Sequence, residues 1–197
     1  MTPRKYELGR RGETAEETRR RITQATFELH NEQGVARTSM KDIAERADVG
    51  IGTVYHHFPT YNDAITACGR LSMSAYPPPS PEVLDGHRGW SRVGAMVTTL
   101  MEYWARCPFI AEMRCERDRY AALAAAAAGF DAWQADFVHQ ALEPTGIAPD
   151  HEAVVVALTD YGVWQSLEQS VLDVATASAS VTDAVTTWLR STKRKER

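Results

Sequence analysis

Cysteine, long apolar stretches and an excess of positive charge are all scarce in this sequence of 197 residues. The three cysteines, Cys68, Cys107 and Cys115, include no close pair, so they offer neither a disulfide framework nor a zinc motif. No apolar stretch approaches the roughly 18 residues of a membrane span. Residues 1–17 are charged and lack the apolar segment of a secretion signal. We therefore expect a cytoplasmic protein without a membrane partner.

Side chains arranged for metal or cofactor chemistry are also sparse. His56 and His57 are adjacent, the other histidines are scattered, and no Glu-x-x-His motif occurs. Spaced metal ligands are therefore missing. A catalytic cysteine needs a base held beside it, and we interpret Cys107 and Cys115 as core thiols. The sequence predicts no metal, no cofactor and no enzyme.

Charge is distributed unevenly along the chain. The formal net charge of −4 disfavours a protein that binds nucleic acid by bulk attraction. Residues 1–60, however, contain ten basic and nine acidic residues, so the acidic surplus lies in residues 61–197. A basic cluster, Arg19 to Arg21, stands at the start of the first apolar pattern. The N-terminal part of the chain is therefore compatible with a DNA partner.

Apolar residues at helical spacing recur through almost the whole chain, and there is no convincing strand pattern, which predicts an all-α protein. Thr14 and Glu17 form a capping-box pattern that predicts the start of a first helix. Residues 74–81 contain four prolines within five positions, and prolines cannot continue a helix. We interpret this segment as a linker between two domains, residues 1–73 and residues 82–197.

Residues 38–61 are the most informative part of the sequence. Thr38 or Ser39 can cap a short helix, and a second short helix is predicted from Gly50 to His57. Two short helices joined by a tight turn and packed on a longer helix have the proportions of a helix-turn-helix. Such a helix fits the major groove of DNA and reads base edges there.

Three stretches of this segment, residues 38–47, 52–55 and 57–59, closely resemble the DNA-binding domain of the TetR (tetracycline repressor-like) family. The resemblance covers about residues 15–68. It implies a recognition helix that starts at about Gly50 and a double-stranded DNA operator as partner. The residues that it places at bases or phosphates are Thr38, Ser39, Lys41, Ile51, Gly52, Thr53, Tyr55, His56, His57 and Tyr61.

The sequence departs from the pattern of that family at three positions. Family members usually have glycine in place of Asp48, serine or threonine in place of Gly50, and lysine in place of Tyr61. Tyr61 removes a phosphate-binding cation but can still donate a hydrogen bond. Aspartate tolerates a left-handed turn conformation nearly as well as asparagine, so we do not expect Asp48 to disable the turn.

Aromatic and sulfur-containing side chains are frequent in residues 82–197. Each one is typical of a helical core, but together they favour an apolar pocket for a hydrophobic or aromatic small-molecule effector. If Glu102 or Glu112 points inward, the pocket would suit a cationic one. The candidate ligand-binding residues are Met101, Trp104, Met113, Trp133, Phe137, Tyr161 and Trp164.

A helical segment, residues 151–174, is apolar nearly all round in its first half, so we expect other helices to cover it on more than one side. Together with the resemblance, this implies a homodimer and a palindromic operator. The leading hypothesis is a ligand-responsive transcriptional regulator, expected to be a repressor, with a C-terminal ligand-binding and dimerisation domain. The alternatives are a helical-bundle ligand-binding or interaction protein, or an enzyme, with no role in DNA binding.

Overall fold

The computed structural model describes residues 8–170 and 172–195, and no strand occurs in these ranges. The expected all-α class is confirmed. The α-helices, numbered in chain order, are α1 (Leu8–Gln33), α2 (Met40–Arg46), α3 (Ile51–His57), α4 (Tyr61–Ala75), α5 (Trp90–Arg106), α6 (Phe109–Glu116), α7 (Ala121–Leu142), α8 (Pro149–Leu158), α9 (Tyr161–Gln169) and α10 (Val174–Lys195). None of these helices combines the length and apolarity that crossing a bilayer requires.

The chain divides into two compact units. The N-terminal unit comprises residues 1–75 and 111–126, and the C-terminal unit comprises residues 76–110 and 127–197. The first change of unit falls inside the proline-rich segment that we interpret as a linker. The sequence contains no signal for the grouping of residues 111–126 with the N-terminal unit.

Local capping signals explain the short helices of the N-terminal unit. Ser39, one of the two caps that the sequence allows, caps α2 in a capping box with Asp42. Thr60 and Asp63 form the same pair of reciprocal hydrogen bonds before α4. In this unit α1 packs on α2 and α4, and α2 packs on α3.

The predicted start of the first helix near Thr14 is wrong. α1 begins at Leu8, and the Thr14 carbonyl accepts a hydrogen bond from the Thr18 hydroxyl at 2.8 Å inside the helix. No proline lies between residues 8 and 13, so nothing there prevents the helix from extending beyond the capping pattern.

In the C-terminal unit, α5 packs on α9 and α10, and α8 packs on α10. The structure divides the segment predicted as one helix, residues 151–174, into α8 and α9. Side chains from other helices stabilise the break: the Trp104 indole N–H donates to the Thr159 carbonyl at 2.9 Å. The Gln134 amide donates to the Val156 carbonyl at 2.9 Å. Carbonyls at the end of α8 thereby receive donors from outside the helix.

The cysteines are placed differently from one another. Cys68 and Cys107 are buried, as expected for core thiols, and burial raises the pKa of Cys68 to about 11. Cys115 is exposed, so its interpretation as a core thiol is wrong. It lies two residues beyond Met113, which is the buried side chain at this end of α6, and on a helix that spacing directs it away from the covered side.

Candidate nucleic-acid interface

The outward face of α3 carries large side chains that the N-terminal unit leaves uncovered. Ile51 is 44% exposed and Tyr55 is 49% exposed, and Gly52 and His56 are exposed between and beside them. These four positions share one face because a helix turns once every 3.6 residues. Uncovered apolar surface next to polar groups favours a binding face.

The opposite face of α3 anchors the helix in the core. Val54 is fully buried, and Phe58, the residue after the helix, is 1% exposed. Both belong to the core cluster that contains Ile22 and Ile43. This anchoring directs the intervening residues outward and leaves Thr53 and His57 partly covered at the flanks.

The turn before α3 has the conformation that the sequence predicted. Asp48 has a φ of 52°, which is left-handed, and the expectation that it tolerates the turn is confirmed. Gly52 leaves open space: nothing lies within 4 Å of the position that a Cβ would occupy. A second molecule can therefore approach the backbone of α3 closely at this residue.

At the start of α2, the predicted DNA-contacting residues fall into two groups. Ser39 and Lys41 are exposed, and Lys41 Nζ lies 3.6 Å from Glu45 Oε1. A solvent-exposed pair of this kind is weak, so Lys41 remains available to another anion. Thr38 is buried instead, and its hydroxyl donates to the Gly34 carbonyl at 2.8 Å.

The Tyr61 hydroxyl also forms its hydrogen bonds within the N-terminal unit. Its hydroxyl donates to the Val35 carbonyl at 2.7 Å, and His30 Nε2 lies 2.9 Å from the same oxygen. Burial raises the pKa of Tyr61, and burial lowers the pKa of His30 to about 4. The geometry does not support the predicted phosphate contact of Tyr61, because its single proton is already donated.

Neither glutamate considered for the effector pocket points into one. Glu102 is exposed, and the Glu112 carboxylate accepts a hydrogen bond from the Val35 N–H within the N-terminal unit. Burial raises the pKa of Glu112. At Gly34, where φ is 90°, a Cβ would collide with Glu112 Oε1, so glycine is needed there. The carboxylate that would recognise a cationic effector is thus not supplied by these two residues.

The candidate ligand-binding residues are mostly buried in the C-terminal unit. Four of them form ring contacts: Trp104 lies 5.9 Å from Trp133 and 6.1 Å from Tyr161, and Trp133 lies 5.8 Å from Phe137, between ring centroids. Edge-to-face and offset contacts at these distances are favourable. Trp133 is the one ring of this cluster of four that is half-exposed.

The three other candidates are buried too, but not all in the same unit. Met101 and Trp164 lie in the C-terminal unit, whereas Met113 belongs to the N-terminal unit. Within the described ranges, no group of three or more histidine, cysteine, aspartate or glutamate side chains could hold a metal ion.

Sequence reasoning missed residues whose role depends on long-range contacts. Arg19 Nη1 donates to the His57 carbonyl at 3.0 Å, and Gln134 is buried among the helices of the C-terminal unit. A signal existed for Arg19, because it lies three residues before the buried Ile22 and so on the same face of α1. For Gln134 there was none, since one amide in a helix is usually solvated.

A short helix with an uncovered outer face, joined by a tight turn to a second helix that packs against it, defines a helix-turn-helix DNA-binding domain. Residues 22–62 match the family described as bacterial regulatory proteins, tetR family. The match falls on the helix-turn-helix segment whose motifs resemble this family, and the family's description is of regulatory proteins.

One relative and two solved structures illustrate the similarity. The HTH-type transcriptional repressor KstR of Mycolicibacterium smegmatis is 33% identical over 107 residues, which are 54% of this chain and 52% of that protein. The chain spans about half the length of the curated relatives it matches first. The multidrug binding protein EbrR complexed with proflavin has a TM-score of 0.63 at 21% identity, over 86% of this chain and 98% of that one.

The second structure is a transcriptional regulator from Rhodococcus sp. Rha1. Its TM-score is 0.67 at 18% identity, over 88% of this chain and 96% of that one. At these identities the likeness to both structures concerns the fold. It agrees with the expected arrangement of an N-terminal helix-turn-helix domain followed by a helical domain.

Proposed function

We propose that the protein is a transcriptional repressor that binds a palindromic operator as a homodimer and leaves it when a small apolar or aromatic molecule binds. The observation that carries the DNA-binding part is the outward face of α3, where Ile51 and Tyr55 are about half exposed opposite the buried Val54. Repression is proposed because KstR, the relative with 33% identity over 107 residues, is a repressor.

In the proposed interface, α3 lies in the major groove. Ile51 and Gly52 face bases, and Thr53, Tyr55, His56 and His57 donate hydrogen bonds to bases or the backbone. Burial, the adjacent His56 and the guanidinium of Arg19 lower the pKa of His57. His57 therefore acts as a neutral donor at pH 7.

Lys41 of α2 completes the interface. It is exposed and supplies a cation to a phosphate. Thr38, Ser39 and Tyr61 are left out because their hydroxyl protons are donated inside the unit.

Fluorescence anisotropy with labelled DNA tests the proposal. The duplex is the sequence that precedes the coding region, and a scrambled duplex of equal length is the control. We expect tighter binding to the first duplex, with affinity that falls as salt rises from about 50 to 200 mM, because phosphate contacts release counterions. No salt-sensitive binding to any fragment of the source genome would contradict the DNA-binding role.

An uncovered apolar strip on α8 supports the proposed homodimer. Val154 is 37% exposed, Ala153 and Ala157 are exposed on the same side of α8, and the half-buried Trp188 of α10 contacts the His151 ring at 5.3 Å. To bind a palindromic operator, the two recognition helices of such a dimer must lie about one DNA turn, roughly 34 Å, apart.

Sedimentation velocity tests the dimer. We expect Val154→Glu to give a monomer, because a carboxylate would be buried without a partner at the interface. Val83→Glu is the matched control, since Val83 is 49% exposed in the C-terminal unit but lies on the turn Pro81–Leu84. A wild-type monomer, or equal association of both variants, would contradict the interface.

The ring cluster of Trp104, Trp133, Phe137 and Tyr161 supports an aromatic effector, because clustered rings with a few polar groups suit flat apolar molecules. The similar fold of EbrR holds proflavin, which is therefore the first probe for this chain. We expect proflavin or another flat apolar compound to quench tryptophan fluorescence and to weaken DNA binding. Absence of quenching across such a panel would leave the cluster as core.

A further inference from the structure

We infer that Arg19 of α1 is a positioning residue for the recognition helix, which it holds at its C-terminal end without contacting DNA. The inference rests on the proposed DNA-binding function. It assigns a role to one member of the basic cluster Arg19 to Arg21.

α3 has few attachments of its own. It contains seven residues, and Gly50 at its N-cap supplies no side-chain hydrogen bond. Its buried residue is Val54, and the Phe58 N–H donates back to the Val54 carbonyl at 2.8 Å. A helix of two turns is not stable by itself in water, so its orientation depends on tertiary contacts at each end.

Arg19 makes two contacts at the C-terminal end of α3. Its Nη1 donates to the carbonyl of His57, the last residue of the helix, at 3.0 Å. Its guanidinium carbon lies 4.5 Å from the centroid of the Phe58 ring. The cation thus satisfies a carbonyl that the helix leaves open and meets the negative end of the helix dipole. The ring adds a cation–π contact.

The part of α1 that carries Arg19 is anchored in the core. Arg19 lies one helical turn before Ile22, which is fully buried in the core of the N-terminal unit. The guanidinium is planar and donates in fixed directions, so it fixes orientation better than a flexible ammonium does. Arg19 is half-buried, and its donor at Nη1 is already used.

The neighbouring arginines are placed differently. Arg20 and Arg21 are exposed and line a surface groove of about 310 Å³ together with Gln24, Glu28 and Arg46. Arg20→Ala therefore removes the same charge from the same helix without touching α3. It is the matched control for Arg19→Ala.

Loss of the two Arg19 contacts lowers sequence specificity more than it lowers affinity for DNA in general. Bases are read by the outward face of α3, whereas non-specific binding depends on phosphate charge. A tilted recognition helix therefore loses affinity for its own sequence and keeps affinity for other DNA. A direct phosphate contact would act differently, since its removal weakens binding to all sequences and reduces the salt slope by about one.

The first test measures specificity. The wild-type protein selects a duplex from a randomised library, and the affinity of each variant for this duplex is divided by its affinity for a scrambled one. We expect this ratio to fall roughly 5- to 30-fold in Arg19→Ala, the factor that corresponds to one or two kcal/mol, and to stay near the wild-type value in Arg20→Ala. Arg19→Lys should fall between the two, because it keeps the charge but loses the planar fork.

The salt slope then separates positioning from contact. We expect equal slopes for Arg19→Ala and Arg20→Ala. A slope that is lower by about one in Arg19→Ala alone would overturn the inference in favour of a phosphate contact. Equal specificity ratios in both alanine variants would overturn it as well.

A second test needs no DNA and so separates this inference from the proposed function. Hydrogen exchange on the free protein should show the amides of residues 54–58 exchanging roughly 5- to 30-fold faster in Arg19→Ala than in Arg20→Ala, with the amides of α4 unchanged. If the wild type selects no DNA sequence, the proposed function fails while this test still reports on Arg19. Equal exchange in α3 would overturn the role of Arg19, and Arg19→Lys serves the same comparison if Arg19→Ala does not fold.

Discussion

The two units of this protein hold their helices together by different means. The core cluster of the N-terminal unit contains mainly aliphatic and small residues, with Phe58 as its one fully buried ring, and side-chain caps at Ser39 and Thr60 fix where its short helices begin. The C-terminal unit packs rings on rings: Trp104 alone lies 5.3 to 6.1 Å from the rings of Tyr103, Trp133 and Tyr161. Caps act between residues three apart in the chain, whereas the rings join distant helices.

This difference separates what each unit can do. Small core residues let the helices of the N-terminal unit approach closely. The outward face of α3 stays uncovered and can contact another molecule. Large rings in the C-terminal unit supply flat apolar surface, together with the carbonyl-bound indole of Trp104. The free face of α3 favours recognition of DNA, and the rings of the C-terminal unit favour the proposed aromatic effector.

The largest expected effect is in the ring cluster. Trp104 is 1% exposed, so Trp104→Ala should lower the free energy of unfolding by about 3–5 kcal/mol through the cavity that it leaves. Urea unfolding followed by circular dichroism measures the change, and Trp188→Ala, at a half-buried ring, should cost less. DNA affinity per folded molecule should stay near that of the wild type. A loss below about 1 kcal/mol would show that the cluster is loosely packed.

A fall in pH should change the stabilising contributions of one histidine in each unit, His30 and His139, in opposite directions. Burial lowers the pKa of His30 in the N-terminal unit to about 4. The unfolded chain therefore takes up this proton first, and stability that is present above pH 6.5 is lost as pH falls towards 4, by about 3 kcal/mol. The free energy of unfolding, followed across this range, should fall more in the wild type than in His30→Gln.

In the C-terminal unit, the hydrogen bond that His139 donates to the Glu152 carboxylate raises the pKa of the exposed His139. Its contribution is present below pH 6.5 and is lost as pH rises through the raised pKa. The stability that the wild type has over His139→Gln should therefore decrease as pH rises, whereas the stability that it has over His30→Gln should increase. The same sign for both variants would contradict the contrast between the units.

Two glycines should respond oppositely to alanine. Gly34 in the N-terminal unit has φ 90° and ψ 161°, a region open almost only to glycine, and a Cβ would displace Glu112. Gly34→Ala should therefore cost about 1–3 kcal/mol. Gly129 lies inside α7 with open space around it, and Gly129→Ala should stabilise by up to about 1 kcal/mol. Thermal unfolding of both variants decides whether the signs differ.

The smallest expected effects are at the outward face of the N-terminal unit. Tyr55→Phe should weaken operator binding roughly two- to tenfold, the value of one hydrogen bond. Lys41→Ala should lower the salt slope by about one. Arg70→Ala, which removes an exposed charge on α4, is the control. The free energy of unfolding of both variants should lie within about 0.5 kcal/mol of the wild-type value. Normal DNA affinity in both variants would show that DNA does not bind to this face of the N-terminal unit.

Much of the N-terminal unit could be predicted because its signals are local. The cap at Ser39, the start of α4 after Thr60 and the bounds of α3 depend on residues a few positions apart, and Asp48 adopts the turn expected of it. The same locality misled at Thr14, where a capping pattern lies inside α1. A capping sequence favours a helix start but does not prevent an extra turn before it.

The structure differs from the expected site where a side chain is already bonded to a residue far away in the chain. Tyr61 was expected at phosphate, but its hydroxyl bonds the Val35 carbonyl 26 positions away. Glu112 was considered for a ligand pocket, yet it bonds the Val35 N–H. Nothing near either residue in the chain carries that information.

The sequence by itself determined the helical class and the helix-turn-helix, because periodicity and capping act within a few residues. Only the tertiary structure decided which polar groups remain free to bind DNA, since a hydroxyl or guanidinium has few donors and long-range packing assigns them. Of three consecutive arginines, Arg19 is turned into the protein to hold α3 and the next two are left at the surface. Composition treats the three alike, and the fold distinguishes them because each points in a different direction from the same helix.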